Sequence, residues 1–253
     1  QLIPAWWTEE IGKMRVVIPE DEKKALTHYA YHIKAGKEIF AAEGAFGQYL
    51  ICFRDYPVAI GITAGASEYL AADICLKYIK EAVQIPCEKE NLEEAQEKLE
   101  EKLVHLTLPK PEGDKKDTNE ATKKLLNKRI AFTENPRQIE SAVISTVGEE
   151  LKLELTVAGE KKILFAGYKD WKCNDMYPND FTKRYHAVSY AFDEDALYLS
   201  VGLLNTSYRE EYCLWVNSEN VVVGTWRPNV TYLPAEEDMT WKFTGTFEPS
   251  CIL

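Results

Sequence analysis

The chain has 253 residues, enough for one large domain or two modest ones, and its 45% hydrophobic and 28% charged content is ordinary globular composition. Thirty basic against 41 acidic residues leave a net charge of −11, which a nucleic-acid backbone or an anionic membrane face repels, so neither is expected as a partner. No run of about 18 apolar residues occurs, and no membrane-spanning helix is expected.

Met14–Ile18 is a short β-branched run that ends at Pro19. Pro19-Glu20-Asp21-Glu22 reads as a helix start, with proline in the first turn and acids at the positive end of the dipole. Leu26, Tyr29, Ala30, Ile33 and Phe40 continue a helical stripe to about residue 42, weakened by Gly36. Tyr49–Phe53 and Val58–Ile62 flank Arg54-Asp55-Tyr56-Pro57 as a hairpin. A second helix follows Gly65-Ala66-Ser67, with the stripe Leu70, Ile74, Tyr78, Ala82 and Ile85, and stops at Pro86. Asn91 caps a third helix, with Glu94 in capping-box position. Its stripe of Leu92, Ala95, Leu99, Leu103 and Leu106 covers barely two heptads and is expected to pack within its own domain.

Residues 109–120 form a polar, Pro/Gly-punctuated loop without periodicity, and 121–129 a short basic helix. From about residue 137 the pattern changes. Leu151, Leu153, Leu155 and Val157 alternate with polar residues, the period of a half-buried antiparallel strand, and Ala158-Gly159-Glu160 turns the chain into 161–166. Tyr185–Phe192 with Leu197–Leu204, and Tyr212–Val216 with Val221–Trp226, read as hairpins, and Thr240–Phe247 adds a last strand. The expected fold class is α+β: a helix-rich part over 1–129, then an antiparallel β-barrel or β-sandwich over 130–253.

Cys52, Cys75, Cys87, Cys173, Cys213 and Cys251 are even in number and include no C-x-x-C pair, a pattern expected of a three-bridge framework. Three precede residue 130 and three follow it, so complete pairing requires an odd number of bridges between the halves. Asn205-Thr206-Ser207 and Asn229-Val230-Thr231 are N-glycosylation triplets. With a chain that begins at Gln1, as a secretory protein does after signal removal, these features lead us to expect a secreted, extracellular glycoprotein.

Chemistry-bearing patterns are sparse. His28 and His32, four apart on the expected first helix, would share a face, but no H-E-x-x-H glutamate accompanies them; a third ligand would have to be Glu22, His105 or an unidentified residue. Ordinary imidazoles are the expectation. Asp170, Asn174, Asp175, Asn179 and Asp180 are rich in oxygen ligands around Cys173 but lack EF-hand spacing, and a plain loop is expected. There is no G-x-S-x-G elbow, His105 and His186 lack a recognisable nucleophile partner, and no phosphate-binding glycine loop occurs. No enzyme activity, metal or cofactor is expected. Six Trp and 14 Tyr suit interfaces and ligand pockets; Trp6, Trp7, Tyr208 and Trp226 are the candidate binding residues.

Tyr212-Cys213-Leu214-Trp215-Val216 resembles the cysteine-bearing strand of tick lipocalins, and Cys251 matches their terminal cysteine. The C-terminal half is thereby similar to secreted tick salivary proteins, of the lipocalin-like or the thirty-six-kilodalton immunosuppressant class. Two departures stand out: Gly224-Thr225-Trp226 comes late, whereas the lipocalin G-x-W opens the barrel, and about 130 residues precede the strands. The resemblance implies suppression of host immunity by capture of an effector, and no catalytic residues. The expected function is sequestration of an extracellular, host immune protein. The alternatives are a lipocalin-like carrier of a small apolar ligand and an unrecognised hydrolase.

Overall fold

A computed structural model describes residues 3–19, 24–66, 71–84, 92–113, 120–174, 185–231 and 239–249. The chain divides into two compact units, Gln1–Thr107 and Leu108–Leu253. Leu125 and Ile130, both fully buried, belong to the core of the second unit.

Helix α1 (Ala5–Ile11) opens the first unit and buries none of its residues. A six-stranded antiparallel meander follows, made of β1 (Val16–Val17), β2 (His28–Ala30), β3 (Ile33–Ala35), β4 (Ile39–Gly44), β5 (Gln48–Phe53) and β6 (Ala59–Ile62) in sheet order. Three strands thus occupy the stretch in which a helix is expected up to residue 42. Within β4 the burial has a period of two: Ile39 and Ala41 are buried while Phe40 and Ala42 are half-buried. Tyr31 and His32, with φ of 54° and 61°, make a two-residue turn between the paired Ala30 and Ile33. Gly36 lies so close to the Ala25 carbonyl that a Cβ has no room. The hairpin of β5 and β6 forms as expected.

Helix α2 (Ala71–Gln84) packs on this sheet through Ala72, Cys75, Leu76 and Ile79, an i, i+3, i+4, i+7 stripe. The expected face is the wrong one, since Ile74 and Tyr78 are more than half exposed. Ala25 N–H donates to Asp73 at 2.8 Å, fixing the helix to the entry of the meander. Helix α3 (Leu92–Val104) forms as expected, yet none of its residues is buried, so its leucine stripe does not pack as expected among the described residues. No described helix is long and apolar enough to cross a membrane.

In the second unit, α4 (Glu120–Lys123) is a single turn of the expected basic helix. The chain then enters β7 (Arg129–Phe132), β8 (Ile139–Val147), β9 (Glu150–Val157), β10 (Glu160–Tyr168), β11 (Lys172–Asn174), β12 (His186–Asp193), β13 (Ala196–Leu203), β14 (Arg209–Val216), β15 (Val222–Pro228) and β16 (Trp241–Phe247). Nine of these close a barrel, because β16 pairs with β7 and β10 pairs with β12, and β11 lies outside the ring on β12. A barrel, not a sandwich, is the β architecture. The β10–β12 closure is parallel and spans two residue pairs, Gly167↔Ser189 and Tyr168↔Tyr190. Nearer the other end, Asn174 bridges the same gap. Its Oδ1 accepts from Phe165 N–H at 2.6 Å and its Nδ2 donates to the Phe165 carbonyl at 3.0 Å.

Alternation decides what fills the ring: Leu153, Leu199, Val201, Leu214 and Phe243 point inward. Gly224 and Gly245 are inward too, and a methyl group on either would run into the rings of Phe243 or Phe132. One end is plugged by Leu125 and by Tyr168, Tyr190 and Phe192, whose rings meet tilted or edge to face, with Tyr190 OH donating to the Glu149 carbonyl at 3.0 Å. The opposite end, where β7 finishes and β8 begins, is the mouth.

Candidate functional site

Under the mouth lies a cavity of about 120 Å³. Its body is apolar, with Ile144, Leu153, Leu155, Leu199, Leu214 and Phe243 among its walls. Its polar wall is made by Arg137, Lys162, His186, Glu210 and Tyr212. The first comes from the β7–β8 loop, and the others from the mouth ends of β10, β12 and β14. On β14 the period of two puts Glu210, Tyr212 and Leu214 on the inner face and Glu211 and Cys213 outside.

Three of these groups form one cluster. Arg137 Nη2 stands 3.0 Å from Glu210 Oε1, and Tyr212 OH donates to Glu210 Oε2 at 2.6 Å. The Glu210 side chain is 8% exposed and that of Arg137 38%, so the carboxylate is committed to the interior while the guanidinium keeps some water. Burial drives the Tyr212 phenol well above its ordinary pKa, and the Glu210 charge adds to the shift. Burial alone would lower the Arg137 pKa, but Glu210 and Tyr212 outweigh it and the net shift is upward. Trp226, inward on β15 across from Tyr212, packs against Trp241 at 4.8 Å between ring centroids. The Arg137 guanidinium carbon lies 5.9 Å from the Trp226 ring. Arg137 Nε and Trp226 Nε1 are buried without a hydrogen-bond partner among the described residues.

The candidate binding residues do not converge. Trp226 belongs to the cluster just described, whereas Tyr208 lies half-buried in the turn between β13 and β14. Trp6 and Trp7 belong to the first unit, where Trp7 meets Tyr31 at 5.2 Å and Trp6 is 65% exposed. Tyr29 OH and His32 Nδ1 lie 3.0 Å apart beside them. His28 and His32 share no helix face, because one is in β2 and the other in the turn that follows it. The described residues hold no group of three or more His, Cys, Asp or Glu able to bind a metal. Glu22, Asp175, Asn179 and Asp180 lie outside the described residues. Asp170 pairs with Lys110 at 3.3 Å, and Asn174 is spent on the barrel wall.

The three-bridge expectation fails for four of its cysteines. Cys52, Cys75, Cys173 and Cys213 are free thiols, and Cys87 and Cys251 lie outside the described residues. Cys75 faces the sheet from α2, while Cys52 alternates with the buried Ile51 and Phe53 and so points from the opposite face. Two strands separate Cys173 from Cys213, or about 14 Å at 4.8 Å per strand, well beyond bridging distance. Asn205 stands exposed. Asn229 braces the β14 entry: its Oδ1 accepts from Arg209 N–H and its Nδ2 donates to the Ser207 carbonyl.

Sequence reasoning missed Arg137 and Glu210. Glu210 was findable, since a carboxylate in phase with Tyr212 and Leu214 is a charge on a core face. Arg137 sits in a loop and carries no such signal. Comparison of the sequence with protein-family models and with curated proteins finds no match.

Proposed function

We propose that the Leu108–Leu253 unit is a binding barrel for a small molecule, which seats an apolar body among the inner leucines and a polar head at Arg137, Glu210 and Tyr212. The observation that carries this reading is an apolar cavity ending in a buried, hydrogen-bonded polar cluster. A volume of about 120 Å³ limits the occupant to a compact molecule, since a cavity of about 150 Å³ holds benzene. Lipocalins have eight strands, so the nine-stranded ring supports the carrier alternative only at the level of a closed barrel with a cavity. An extracellular setting now rests mainly on the two glycosylation triplets at Asn205 and Asn229, because the free thiols withdraw the support of the cysteine count.

The test is native mass spectrometry of the purified protein together with titration of tryptophan fluorescence by benzene-sized probes. Saturable quenching of Trp226 and Trp241, abolished by Leu199→Trp filling the cavity, is the expected result. Absence of any saturable change with every probe rejects the reading.

A second reading, capture of an extracellular, host immune protein, draws on a different feature. Trp6, Trp7 and Tyr31 gather on the surface of the first unit, Tyr31 itself in a turn held in the left-handed region. Aromatic side chains of this kind are favoured at protein interfaces.

A further inference from the structure

We propose that Phe132 and Ile139 set the length of ligand that the barrel accepts. They form a fixed partition between the inner cavity and a second, larger depression on the rim, and so confine the occupant to a compact molecule and exclude long-chain lipids. The inference rests on the small-molecule reading and adds what decides the size class of the occupant.

The rim depression has a volume of about 550 Å³ and lies between the β7–β8 loop and the β9–β10 turn, with Thr133, Glu134, Gln138 and Ala158 among its walls. Phe132 and Ile139 line both this depression and the inner cavity. On the facing strand the change of sides takes one step along the chain. Val157, paired with Ile139, lines the inner cavity, and Ala158 lines the depression. A single layer of chain therefore separates the two spaces. An apolar chain that outgrows the inner cavity has room next to it, provided that it can pass.

Both partition residues are pinned. The Phe132 ring meets Phe243 edge to face at 5.4 Å between centroids, and it uses space that Gly245 leaves open, where a Cβ would stand 2.7 Å from the ring. Ile139 is held through its backbone: its N–H donates to Asn135 Oδ1 at 3.0 Å, and its carbonyl accepts from Asn135 Nδ2 at 2.8 Å. The same loop is tied to itself and to the turn beside it. Gln138 N–H donates to the Asn135 carbonyl at 2.9 Å, and Ala158 N–H donates to the Gln138 carbonyl at 3.0 Å. Packed rings and paired backbone groups resist displacement, so the partition does not swing aside as an exposed side chain would. Arg137, Lys162 and Glu210 bear on the polar group of the ligand rather than on its length.

The experiment titrates the full chain by calorimetry with the straight 1-alkanols from butanol to dodecanol, which carry no charge at any length. Wild-type affinity is expected to rise about fourfold per methylene as far as about hexanol, because a cavity of this order holds about six carbons, and to level off beyond it. Ile139→Ala is expected to remove that break, with dodecanol at least about tenfold tighter than hexanol as the added methylenes find cover. Glu134→Trp added to Ile139→Ala fills the depression and restores the break. Leu199→Ala deletes as much side chain from β13, and should move the break by no more than the carbons it removes. Phe132→Leu opens the partition from its other side and gives the same test if Ile139→Ala does not fold. A break that moves equally in Ile139→Ala and Leu199→Ala, or a dodecanol gain that survives Glu134→Trp, overturns the inference and leaves the carrier reading intact. A wild-type affinity that climbs unbroken to dodecanol also overturns it. Binding of no alkanol by any of these proteins rejects the carrier reading itself.

Discussion

Tyr212 holds a proton that Glu210 needs, in a place where water does not replace it. Removing the hydroxyl in Tyr212→Phe leaves one carboxylate oxygen of Glu210 without its donor, and should lower unfolding free energy by about 1–3 kcal/mol at neutral pH. The pH dependence carries a separate signature. The folded-state pKa of Tyr212 is raised above its ordinary 10.0, so its contribution is complete below that value and is lost as pH climbs through the folded pKa. Wild-type stability should fall above about pH 10 by up to about 1.4 kcal/mol per pH unit from this residue, and Tyr212→Phe should fall less steeply. Urea unfolding at pH 7, 10 and 11 compares the slopes, and Tyr198, whose pKa is also raised by Cys213 and by burial, contributes equally to both proteins. At this scale the sequence was readable wherever strand phase was readable, as for Leu153, Leu155 and Trp226. Arg137 was not readable, because its role depends on a loop folding over the mouth and on a carboxylate far along the chain. Asn174, expected in a plain loop, ends a short strand instead, and its side-chain amide bridges the broken sheet at Phe165.

The turn between β2 and β3 explains the largest misreading among the elements. Two-residue hairpins favour Asn-Gly, because both central residues need φ above zero. Here Tyr31 and His32 hold those angles, so the strongest local signal of a hairpin is missing and the 3.6-residue stripe stands uncontested. Strand pairing supplies what local preference does not, with Ile39 and Ala41 drawn into the core under α2. Replacing the pair by Tyr31→Asn and His32→Gly should raise stability by about 1 kcal/mol. Relief of two left-handed side chains, at about 1–2 kcal/mol each, exceeds the loss of the Trp7–Tyr31 and Tyr29–His32 contacts. A rise in the melting temperature of the first unit checks this; a fall would mean that the aromatic contacts outweigh the strain. Helix α2 was legible as a helix but not by face, since Ile74 and Tyr78 compete with Ala72, Cys75 and Ile79 for the same periodicity. Which stripe wins is decided by the sheet beneath.

Each unit of the molecule has its own apolar core, Ile39, Ile51 and Phe53 in one and the barrel interior in the other. Separately expressed chains of 1–107 and 108–253 should therefore each fold cooperatively. The second should keep any small-molecule affinity of the full chain, and the first any protein capture due to Trp6 and Tyr31. Calorimetry of the fragments beside the full chain checks the expectation; a fragment without a transition would show that its core is incomplete alone. The antiparallel half was legible as a barrel or a sandwich, but not as one of the two, because nothing local announces that the first strands meet the last ones or that β10 meets β12. That meeting has an arithmetic origin. Strand directions that alternate around a circle must fail to alternate once if their number is odd, and nine strands have one such seam, between β10 and β12. The chain must consequently travel the height of the barrel between Tyr168 and His186 to re-enter pointing the same way. Shifting the strands one place around the circle would ask a short hairpin to join parallel neighbours, which needs a crossover of a dozen residues or more. The odd count therefore gives each strand a single address, and excludes rotated versions of the ring that an even, fully alternating barrel would leave to side-chain packing alone to reject.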